Sequence, residues 1–339
     1  MTQDDMDAPT TTDAVARFVR EDEHADVAVI VVTYRNAADI DRLVGSLRTE
    51  AVGNRLRVII ADNESPDDSL ELARAHRDVI AFSTGGNLGY AGGINVAARV
   101  AGQCDAILVL NPDIEVEPGA ITAMRARLAQ PGVGIVVPAI LDATGTVSAS
   151  LRREPSVLRG LGDALFGGRL RRRPGAFAEM IFAPSAYESA RAVDWATGAA
   201  LMVSRDAAAA IGEWDERFFL YSEETDYFRR AREAGFEVWF EPSAVVRHAE
   251  GGSGGSLALF TLLAVNRIRY FAKYHRRTPT ALFQATAVLN EITRSADARH
   301  RAILRTVLRP RSWDDLPAAT VSTPVPVRSA DEPEEAVPS

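Results

Sequence analysis

Apolar and polar positions alternate in blocks along the first part of the chain, and these blocks predict strands and helices in turn. The predicted strands cover residues 27–33, 57–61, 79–83, 106–110 and 134–138. The predicted helices cover residues 38–47 and 67–76, a segment ending at Val100, and residues 118–128. Because strands that alternate with helices indicate βαβ units, the sequence predicts an α/β fold with a Rossmann-like, mostly parallel central sheet flanked by helices.

The pattern changes in the second part of the chain, which divides the predicted domain into two halves. Strands beyond Trp195 are interleaved with Gly-Ala, acidic and aromatic segments, as suits an acceptor-binding half. We expect one domain over residues 27–256, with a nucleotide-binding half to about residue 140 and an acceptor half after about residue 190. Residues 150–184 are rich in Arg, Gly and Pro without a clear period. This composition predicts a long surface excursion, that is, a segment that leaves the sheet and runs over the surface.

Helices are predicted after this domain, and both ends of the chain have little apolar content. Residues 257–277 have an amphipathic, basic pattern and residues 280–305 predict one further helix. Together they define a basic helical extension over residues 257–316. Residues 1–26 are polar and acidic and predict a flexible arm, and residues 317–339, rich in Pro, Glu and Ser, predict a disordered tail.

Composition and charge narrow the class of protein. The chain has 339 residues and a net charge of -8. It lacks the overall basic charge typical of nucleic-acid-binding proteins, so no nucleic-acid partner is expected. A single cysteine excludes an internal disulfide. Neither a signal-peptide pattern nor an apolar run of membrane-spanning length is found, so we expect a cytoplasmic protein. The oligomeric state does not follow from the sequence.

Basic residues cluster in two segments, residues 152–173 and 267–277. A basic amphipathic helix over residues 257–277 can lie in the headgroup plane, which predicts peripheral contact with an anionic membrane at its inner face. The same pattern fits a helix that packs its apolar face on the core, and both interpretations stay open here. The arginines of residues 150–184 would add to the membrane contact or hold an acceptor diphosphate.

Asp113 follows a predicted buried strand. The apolar run at 106–110 stops at Asn111 and Pro112, since proline cannot continue a strand ladder. Asp113 therefore lies just past the carboxyl end of a strand, where open α/β sheets place their ligand sites. A carboxylate there is suited to hold a divalent cation against a diphosphate. The alternative is a turn that caps the helix beginning near Pro118.

Two further segments at strand ends suit a nucleotide. Asp62 ends the second strand, and it either caps the following helix or accepts a hydrogen bond from a nucleobase imide. Residues 85–95 are dense in glycine before a helix, which lets the backbone approach a phosphate closely. Their glycine spacing does not match the dinucleotide-binding fingerprint.

An acidic and aromatic segment carries the candidate general base. Glu223 and Glu224 follow the apolar residues 218–221, which favours partial burial, and burial raises a carboxyl pKa toward the range useful for a base. The alternative is a solvated helix start, where acids are common. His248 lies near a strand end, and the glycine-serine run at 251–256 suggests a loop that closes over a ligand.

Taken in order, these segments resemble the family-two inverting glycosyltransferases with the GT-A fold, over roughly residues 27–273. The resemblance is greatest to bacterial rhamnosyltransferases of cell-envelope and polysaccharide assembly. Each motif is weak alone, and their order together is specific. The matching segments are Thr33-Tyr34, Asp62-Asn63 with Ser65, Gly86-Asn87 through Gly92 and Asn95, Asn111-Pro112-Asp113, Thr197-Gly198-Ala199, the stretch from Phe219 to Asp226, and His248.

The resemblance assigns roles to these residues. It implies that Asp62 contacts a uracil or thymine ring, that Asp113 binds Mg²⁺ or Mn²⁺, and that His248 completes the metal or diphosphate site. Glu224 would be the base, with Glu223 as the alternate, although the family usually has Glu-Asp here. The implied nucleotide and donor residues are Thr33, Tyr34, Arg35, Asp62, Asn63, Gly86, Asn87, Gly92, Asn95 and Asn111. The implied acceptor residues are Trp195, Thr197, Gly198 and Asp226.

The function implied by this resemblance is a metal-dependent, inverting sugar transfer by single displacement. The expected donor is a nucleotide sugar, dTDP-L-rhamnose first of all, and the expected acceptor is a glycolipid or saccharide, with a polyprenyl-diphosphate-linked sugar first. One alternative is another UDP- or dTDP-sugar with a soluble or secondary-metabolite acceptor. A sugar nucleotidyltransferase is disfavoured, because the first strand leads to residues 33–36 and not to a glycine-rich loop with Arg and Lys. A non-catalytic nucleotide-sugar-binding module is disfavoured by the retained Asp113 and both glutamates.

Overall fold

A nine-stranded mixed sheet forms the centre of the molecule, with helices on both faces. The computed structural model describes residues 16–167, 174–248 and 255–321. The strands are β1 (Ala25–Thr33), β2 (Leu56–Asp62), β3 (Ile80–Ser83), β4 (Cys104–Leu110), β5 (Ile114–Val116), β6 (Val133–Leu141), β7 (Leu151–Arg152), β8 (Arg191–Ala192), β9 (Trp195–Ala196), β10 (Ala200–Ser204) and β11 (Glu237–His248). The helices are α1 (Ile40–Glu50), α2 (Ser69–Ala75), α3 (Gly89–Arg99), α4 (Ala120–Leu128), α5 (Val157–Phe166), α6 (Arg205–Ile211), α7 (Glu223–Glu233), α8 (Leu257–Tyr274), α9 (Arg277–Ile292) and α10 (Ala298–Val307).

The strand order is β3-β2-β1-β4-β10-β6-β11-β5, with β8 on β11, and β7 pairs with β9 in a separate ribbon. The strands β3, β2, β1 and β4 run parallel, as the alternating pattern predicts, and so do β6 and β11. Strand β10 is antiparallel to both of its neighbours, β4 and β6. It comes from the second half of the chain, so it joins the two predicted halves into one sheet.

Both faces of the sheet are covered, because successive side chains of β1 and its neighbours point to opposite faces and each face packs in its own apolar cluster. Ile30 and Val32 face one apolar cluster, and Val29 and Val31 face the other. Close packing of α3 on β1 requires Gly93, since a methyl group added there would lie 2.6 Å from Cγ1 of Val32. The glycine density near residue 90 is therefore explained in part by helix packing.

The predicted flexible arm ends earlier than expected. Phe18 is fully buried, and the Val19 amide donates to the Leu56 carbonyl at 2.8 Å. The buried Arg57 side chain donates to the carbonyl oxygens of Arg20 at 2.8 Å and of Ala101 at 2.5 Å. A guanidinium with five donors can bind several carbonyls at once, so it fixes this segment against the sheet. The prediction of a flexible arm up to residue 26 is therefore wrong for residues 16–26.

Residues 150–184 form more than a surface excursion. They contain β7 and α5, and α5 packs against α9 of the C-terminal extension. Two small positions allow this packing, since a methyl group on Gly160 would collide with Thr286 and one on Gly162 with Phe177. The irregular composition hid these elements, because α5 is short and rich in glycine. Its following arginines, within residues 168–173, lie outside the described part of the chain.

The structure decides between the two interpretations of residues 257–277 and corrects the helix predicted after them. The apolar side chains Leu262, Val265 and Ile268 of α8 are buried, so this helix packs on the protein, as the second of the two interpretations proposed. The single helix predicted over residues 280–305 is wrong, since α9 and α10 are separate and Asp297 caps the second. No helix within the described residues is long and apolar enough to cross a membrane.

Candidate active site

The candidate site lies where β1, β2 and β4 end. The register pairs Thr33 with Asp62 at the last position of β1 and β2, and Asp113 follows the end of β4. Parallel strands bring their carboxyl ends to one edge of the sheet, so three segments far apart in sequence meet there. This placement agrees with the position predicted for Asp62 and Asp113.

The Asp62 carboxylate is buried and held in one orientation. It accepts hydrogen bonds from the Thr33 hydroxyl at 2.9 Å and from the amide and hydroxyl of Ser65 at 2.7 and 2.5 Å. Helix α2 is preceded by Asp68 at its N-cap, so Asp62 does not cap that helix. The capping interpretation of Asp62 is therefore wrong, and the aspartate instead fixes the turn after β2.

The side chains of Tyr34 and Arg35 stand at the open edge beside this turn. Tyr34 is 44% exposed, and the Arg35 guanidinium lies 5.4 Å from its ring centre. The Arg35 amide donates to the Ser65 hydroxyl at 3.0 Å, which ties the ends of β1 and β2 together. Both side chains are accessible to a ligand at the strand ends.

The glycine-rich segment is fastened by its own polar groups. Asn63 is buried; its side-chain amide donates to the Gly89 carbonyl at 2.9 Å, and its side-chain oxygen accepts from Thr84. The side-chain oxygen of Asn87 accepts from the Gly89 amide at 3.1 Å, and the Gly86 carbonyl accepts from Thr84 at 2.7 Å. Asn63 thus fastens the end of β2 to the glycine-rich segment.

Two of the predicted donor residues have structural roles. Gly92 is buried, and a methyl group there would lie 2.8 Å from Cβ of Leu88, so the residue is needed for packing. Asn95 is buried as well, and it exchanges hydrogen bonds of 3.0 and 2.9 Å with the backbone of Trp214. Asn95 therefore fastens α3 to the acceptor half. The side chain of Asn95 is thus engaged within the protein, against the prediction that it contacts the donor, whereas a donor contact of the Gly92 backbone stays a prediction.

Asp113 and His248 come together as predicted. Oδ1 of Asp113 lies 3.1 Å from Nε2 of His248, because β11 ends opposite β5 with His248 in register with Ile114. Asp113 is 7% exposed, and Asn111 precedes it on the same turn. Within the described residues, no group of three or more His, Cys, Asp and Glu side chains is placed to hold a metal ion. Two protein ligands fit a cation whose other positions are filled by diphosphate and water.

The two glutamates begin α7, and burial changes their protonation. Burial and the adjacent Glu224 carboxylate raise the pKa of Glu223 well above its usual value. Burial also raises the pKa of Glu224, while the nearby Arg152 guanidinium opposes the rise. One carboxylate oxygen of each glutamate is buried without a hydrogen-bond partner. Glu224 also lines a cleft, so of the two it is the one placed to receive a proton from a ligand.

Tyr90, inside the glycine-rich segment, lies near both groups of acids and is not among the predicted site residues. Its hydroxyl donates to the Gly198 carbonyl at 3.3 Å. Burial, together with the charges of Glu223, Glu224 and Asp113, raises its pKa well above the usual value for tyrosine. The phenol therefore lies close enough to Asp113 and to both glutamates for their charges to act on it.

The backbone before the glutamates is in an uncommon conformation. Phe219, Tyr221 and Ser222 have φ values of 59°, 69° and 74°, in the left-handed region that non-glycine residues seldom adopt. Each such residue costs about 1–3 kcal/mol, and such residues cluster at functional sites. The Phe219 carbonyl accepts from the Tyr90 amide at 2.7 Å, so this segment contacts the start of α3.

A cleft of about 570 Å³ opens beside Glu224 on the acceptor side. Trp195 and Thr197 line it, and both are fixed by the backbone: Trp195 Nε1 donates to the Arg153 carbonyl at 2.9 Å, and the Thr197 amide donates to the Ser150 carbonyl at 3.1 Å. Gly198 packs against Glu224, since an added methyl group would lie 3.2 Å from its Cβ. The remaining walls come from α5, α8, α9 and α10.

Asp226 does not face this cleft. Its carboxylate is fully buried and pairs with Arg230 at 2.8 Å, with Lys273, and with the Tyr274 hydroxyl at 2.6 Å. These partners occupy both carboxylate oxygens, and they attach α7 to α8. The prediction that Asp226 binds the acceptor is therefore wrong, and its role is structural.

Comparison with known proteins agrees with this geometry. The family model described as glycosyl transferase family 2 matches residues 28–181. The N-acetylglucosaminyl-diphospho-decaprenol L-rhamnosyltransferase of Mycobacterium tuberculosis is 33% identical over 241 residues, which cover 67% of this chain and 77% of that protein. The low-salt glycan biosynthesis hexosyltransferase of Haloferax volcanii is 28% identical, over 63% of this chain and 64% of that one.

A solved structure supports the fold. GalNAc-T7, crystallised with UDP, GalNAc and Mn²⁺, superposes with a TM-score of 0.52 at 14% identity, over 78% of this chain and 54% of that chain. At this identity the likeness concerns the fold alone. It confirms the predicted GT-A architecture of an α/β sheet followed by helices.

Proposed function

Because this chain belongs to glycosyl transferase family 2, we propose that it transfers a hexose from a nucleotide diphosphate to a lipid-linked saccharide with inversion. The expected donor is dTDP-L-rhamnose, and the expected acceptor is a sugar on a polyprenyl diphosphate. The observation that carries the proposal is the pairing of Asp113 with His248 and the position of Glu224 at a cleft, with Tyr90 near Asp113 and both glutamates. The relative from M. tuberculosis, whose name specifies both the sugar and the acceptor, supports the choice of substrates.

Donor binding is assigned to the strand ends. The buried Asp62 carboxylate, oriented by Thr33 and Ser65, would accept a hydrogen bond from the imide of a uracil or thymine ring. Tyr34 and Arg35 stand beside it and are accessible to the nucleotide. Asn87 and Gly86 would place backbone against the diphosphate, next to the N-terminus of α3.

Asp113 and His248 would hold a divalent cation, Mg²⁺ or Mn²⁺. Their donor atoms lie 3.1 Å apart and offer one carboxylate and one imidazole. When bound, such a cation neutralises charge that develops on the leaving diphosphate. Asn111, on the same turn, would contact the donor sugar or diphosphate.

Glu224 would act as the general base. It borders the acceptor cleft, and its raised pKa makes it a stronger base than an exposed glutamate. The Arg152 guanidinium opposes the rise in the pKa of Glu224, whereas the adjacent Glu224 carboxylate adds to the rise in the pKa of Glu223. Proton removal by Glu224 from the acceptor hydroxyl on the face opposite the leaving group gives single displacement with inversion.

The cleft beside Glu224 suits an acceptor that carries both an anion and a lipid. Its lining includes the cationic side chains of Arg152 and Arg294 and the apolar side chains of Phe260 and Leu263. Within the described residues, Arg152 donates to the carbonyl oxygens of Ala149 and Leu151 and pairs with no carboxylate. Burial lowers the pKa of Arg152, the charges of Glu179 and Glu224 oppose that change, and an acceptor diphosphate would add an anion in direct contact with the guanidinium.

Peripheral contact with an anionic membrane follows from such an acceptor. With α8 packed on the core, the better support is the end of α5, where Leu165 and Phe166 are 54% and 41% exposed. The arginine-rich segment 169–173 follows directly in the sequence. The double variant Leu165→Glu/Phe166→Glu should lower cosedimentation with anionic liposomes at low salt, and Leu308→Glu, similarly exposed directly after α10, should not. Equal binding by all three proteins would remove the membrane proposal.

The function is tested with a panel of nucleotide sugars and a short-chain polyprenyl-diphosphate saccharide, with and without chelator. We expect transfer from dTDP-L-rhamnose, loss of transfer in chelator, and an inverted anomeric configuration by NMR. Asp113→Asn should abolish transfer while the melting temperature stays near that of the wild type. Transfer in chelator would exclude the metal site, and transfer from another sugar to a soluble acceptor would replace the proposed substrates. Binding without transfer for every donor would indicate a non-catalytic module.

A further inference from the structure

Asn266 on α8 donates to the backbone immediately before the two glutamates. Its side-chain nitrogen lies 2.6 Å from the Phe218 carbonyl oxygen, 2.9 Å from that of Leu220 and 3.2 Å from that of Tyr221. Asn266 is fully buried, so these bonds are shielded from water. One amide nitrogen therefore lies within hydrogen-bond distance of three carbonyl oxygens of residues 218–221, a segment in which Phe219 and Tyr221 have positive φ.

The orientation of this amide is itself fixed. The Arg269 guanidinium donates to the side-chain oxygen of Asn266 at 3.1 Å, which leaves the nitrogen facing the segment. Arg269 in turn donates to the Trp313 carbonyl at 3.0 Å, beyond α10. The C-terminal extension thus reaches the backbone of residues 218–222 through a continuous chain of hydrogen bonds.

The segment held by Asn266 contacts both sides of the site. Its Phe219 carbonyl accepts from the Tyr90 amide at 2.7 Å, at the start of α3. Its last residue, Ser222, has φ 74° and precedes Glu223 and Glu224, so its conformation sets where α7 begins. A change of backbone conformation here moves the glutamates but leaves Asp62, Asp113 and His248 on their strands.

We infer that Asn266 is a positioning residue for sugar transfer, which holds residues 218–222 in their strained conformation and so places the Glu224 carboxylate against the acceptor. This inference rests on the proposed function, because Glu224 is the base of that reaction. Positioning of the base affects the transfer step, whereas the proposed donor contacts of Asp62, Asp113 and His248 come from elements that Asn266 does not contact. Loss of Asn266 should therefore lower kcat and leave the KM for the donor nearly unchanged.

The test uses the full chain and two variants that lack the amide donors but differ in charge, Asn266→Leu and Asn266→Asp. A displacement of about 1 Å can cost about 10²-fold in rate, so we expect kcat to fall about that far in both, with the donor KM within about twofold. Hydrogen–deuterium exchange should rise in a peptide covering residues 216–226. Asn54→Asp is the matched control, since Asn54 is also buried and donates to a helix carbonyl, that of Glu50 at 3.0 Å, far from the site.

Each outcome of this test supports or overturns the inference about Asn266. An unchanged kcat in both variants, or a fall in the Asn54→Asp control as large as in the Asn266 variants, overturns the inference. Failure of both Asn266 variants to fold while the control folds assigns the residue to folding and overturns it as well. An inactive wild type on every donor would instead defeat the proposed function. In that case the exchange of residues 216–226 still decides whether Asn266 holds the segment.

Discussion

At the scale of single residues, the proposed chemistry depends on two adjacent glutamates whose environments differ. Glu223 is 3% exposed and does not line the cleft, while Glu224 lines it and lies near Arg152. A base must be ionised to accept a proton, and the Arg152 charge favours ionisation of Glu224. The longer Glu side chain at this position, where the family usually has Asp, is accommodated by the absence of a side chain at Gly198.

Glu224→Gln is expected to lower kcat by about 10²–10⁴-fold, because the amide keeps the shape of the side chain but cannot accept the proton. Since burial raises the pKa of Glu224, wild-type kcat should fall with decreasing pH at a midpoint above that of an exposed glutamate. Steady-state kinetics over a pH series measure both effects, and calorimetric titration with the donor nucleotide checks binding. A loss of donor affinity as large as the loss of kcat would make Glu224 a binding residue.

Asp62 and Asp113 could be predicted near one edge of the sheet because each comes at or just after the end of an apolar strand. The sequence pattern assigned Asn95 and Asp226 wrongly, since a buried Asn or Asp that bonds to distant backbone or to arginine has the same local pattern as a ligand-binding one. Tyr90 could have been found from its position inside the glycine-rich segment. Asn266 could not, because its partners are about 45 residues away and are main-chain atoms.

At the scale of elements, packing distance decides where glycine is required. α3 approaches β1 so closely that Gly93 has no room for a side chain, whereas Gly45, in the middle of α1, has nothing within 4 Å of an added methyl group. The strand and helix periods predicted both elements, but not how closely they approach each other. The same limitation hid α5, whose glycines contact Phe177 and α9.

Gly93→Ala should therefore destabilise the protein by about 1–3 kcal/mol through overpacking against Val32. Gly45→Ala is the matched control, and it should stabilise by about 0.5–1 kcal/mol, since alanine favours an exposed helix interior. Urea unfolding of the wild type and both variants gives the two free energies of unfolding. If Gly93→Ala proves as stable as Gly45→Ala, α3 is free to move away from β1 and the packing argument fails.

At the scale of the whole molecule, burial of the two glutamates lowers the free energy of unfolding at pH values where they are ionised, because burial disfavours a charged carboxylate. The raised pKa of Glu223 means that the folded state binds its proton more tightly than the unfolded state. Stability should therefore fall as pH rises from the ordinary glutamate value through the folded-state value, and recover on acidification within that range.

Glu223→Gln should raise the free energy of unfolding at pH 8 by about 1–2 kcal/mol, because it removes a buried, poorly paired carboxylate from a functional site. The advantage over the wild type should shrink as the pH is lowered to 5, where Glu223 is increasingly protonated in both states. Melting temperatures of the two proteins between pH 5 and 8 measure this. A variant that melts below the wild type at pH 8 would show that the carboxylate is well paired.

The position of β10 also matters while the chain is being made. β4 ends at Leu110 and β10 begins at Ala200, so about 90 residues, or roughly 5–20 s of translation, separate the two strands. Throughout that interval the apolar edge of β4 has no partner, and an unpaired edge is a template for another nascent chain. The vulnerable species is thus the half-made polypeptide on the ribosome, and the yield of this protein should depend on chaperone capacity and translation speed more than on the stability of the finished fold.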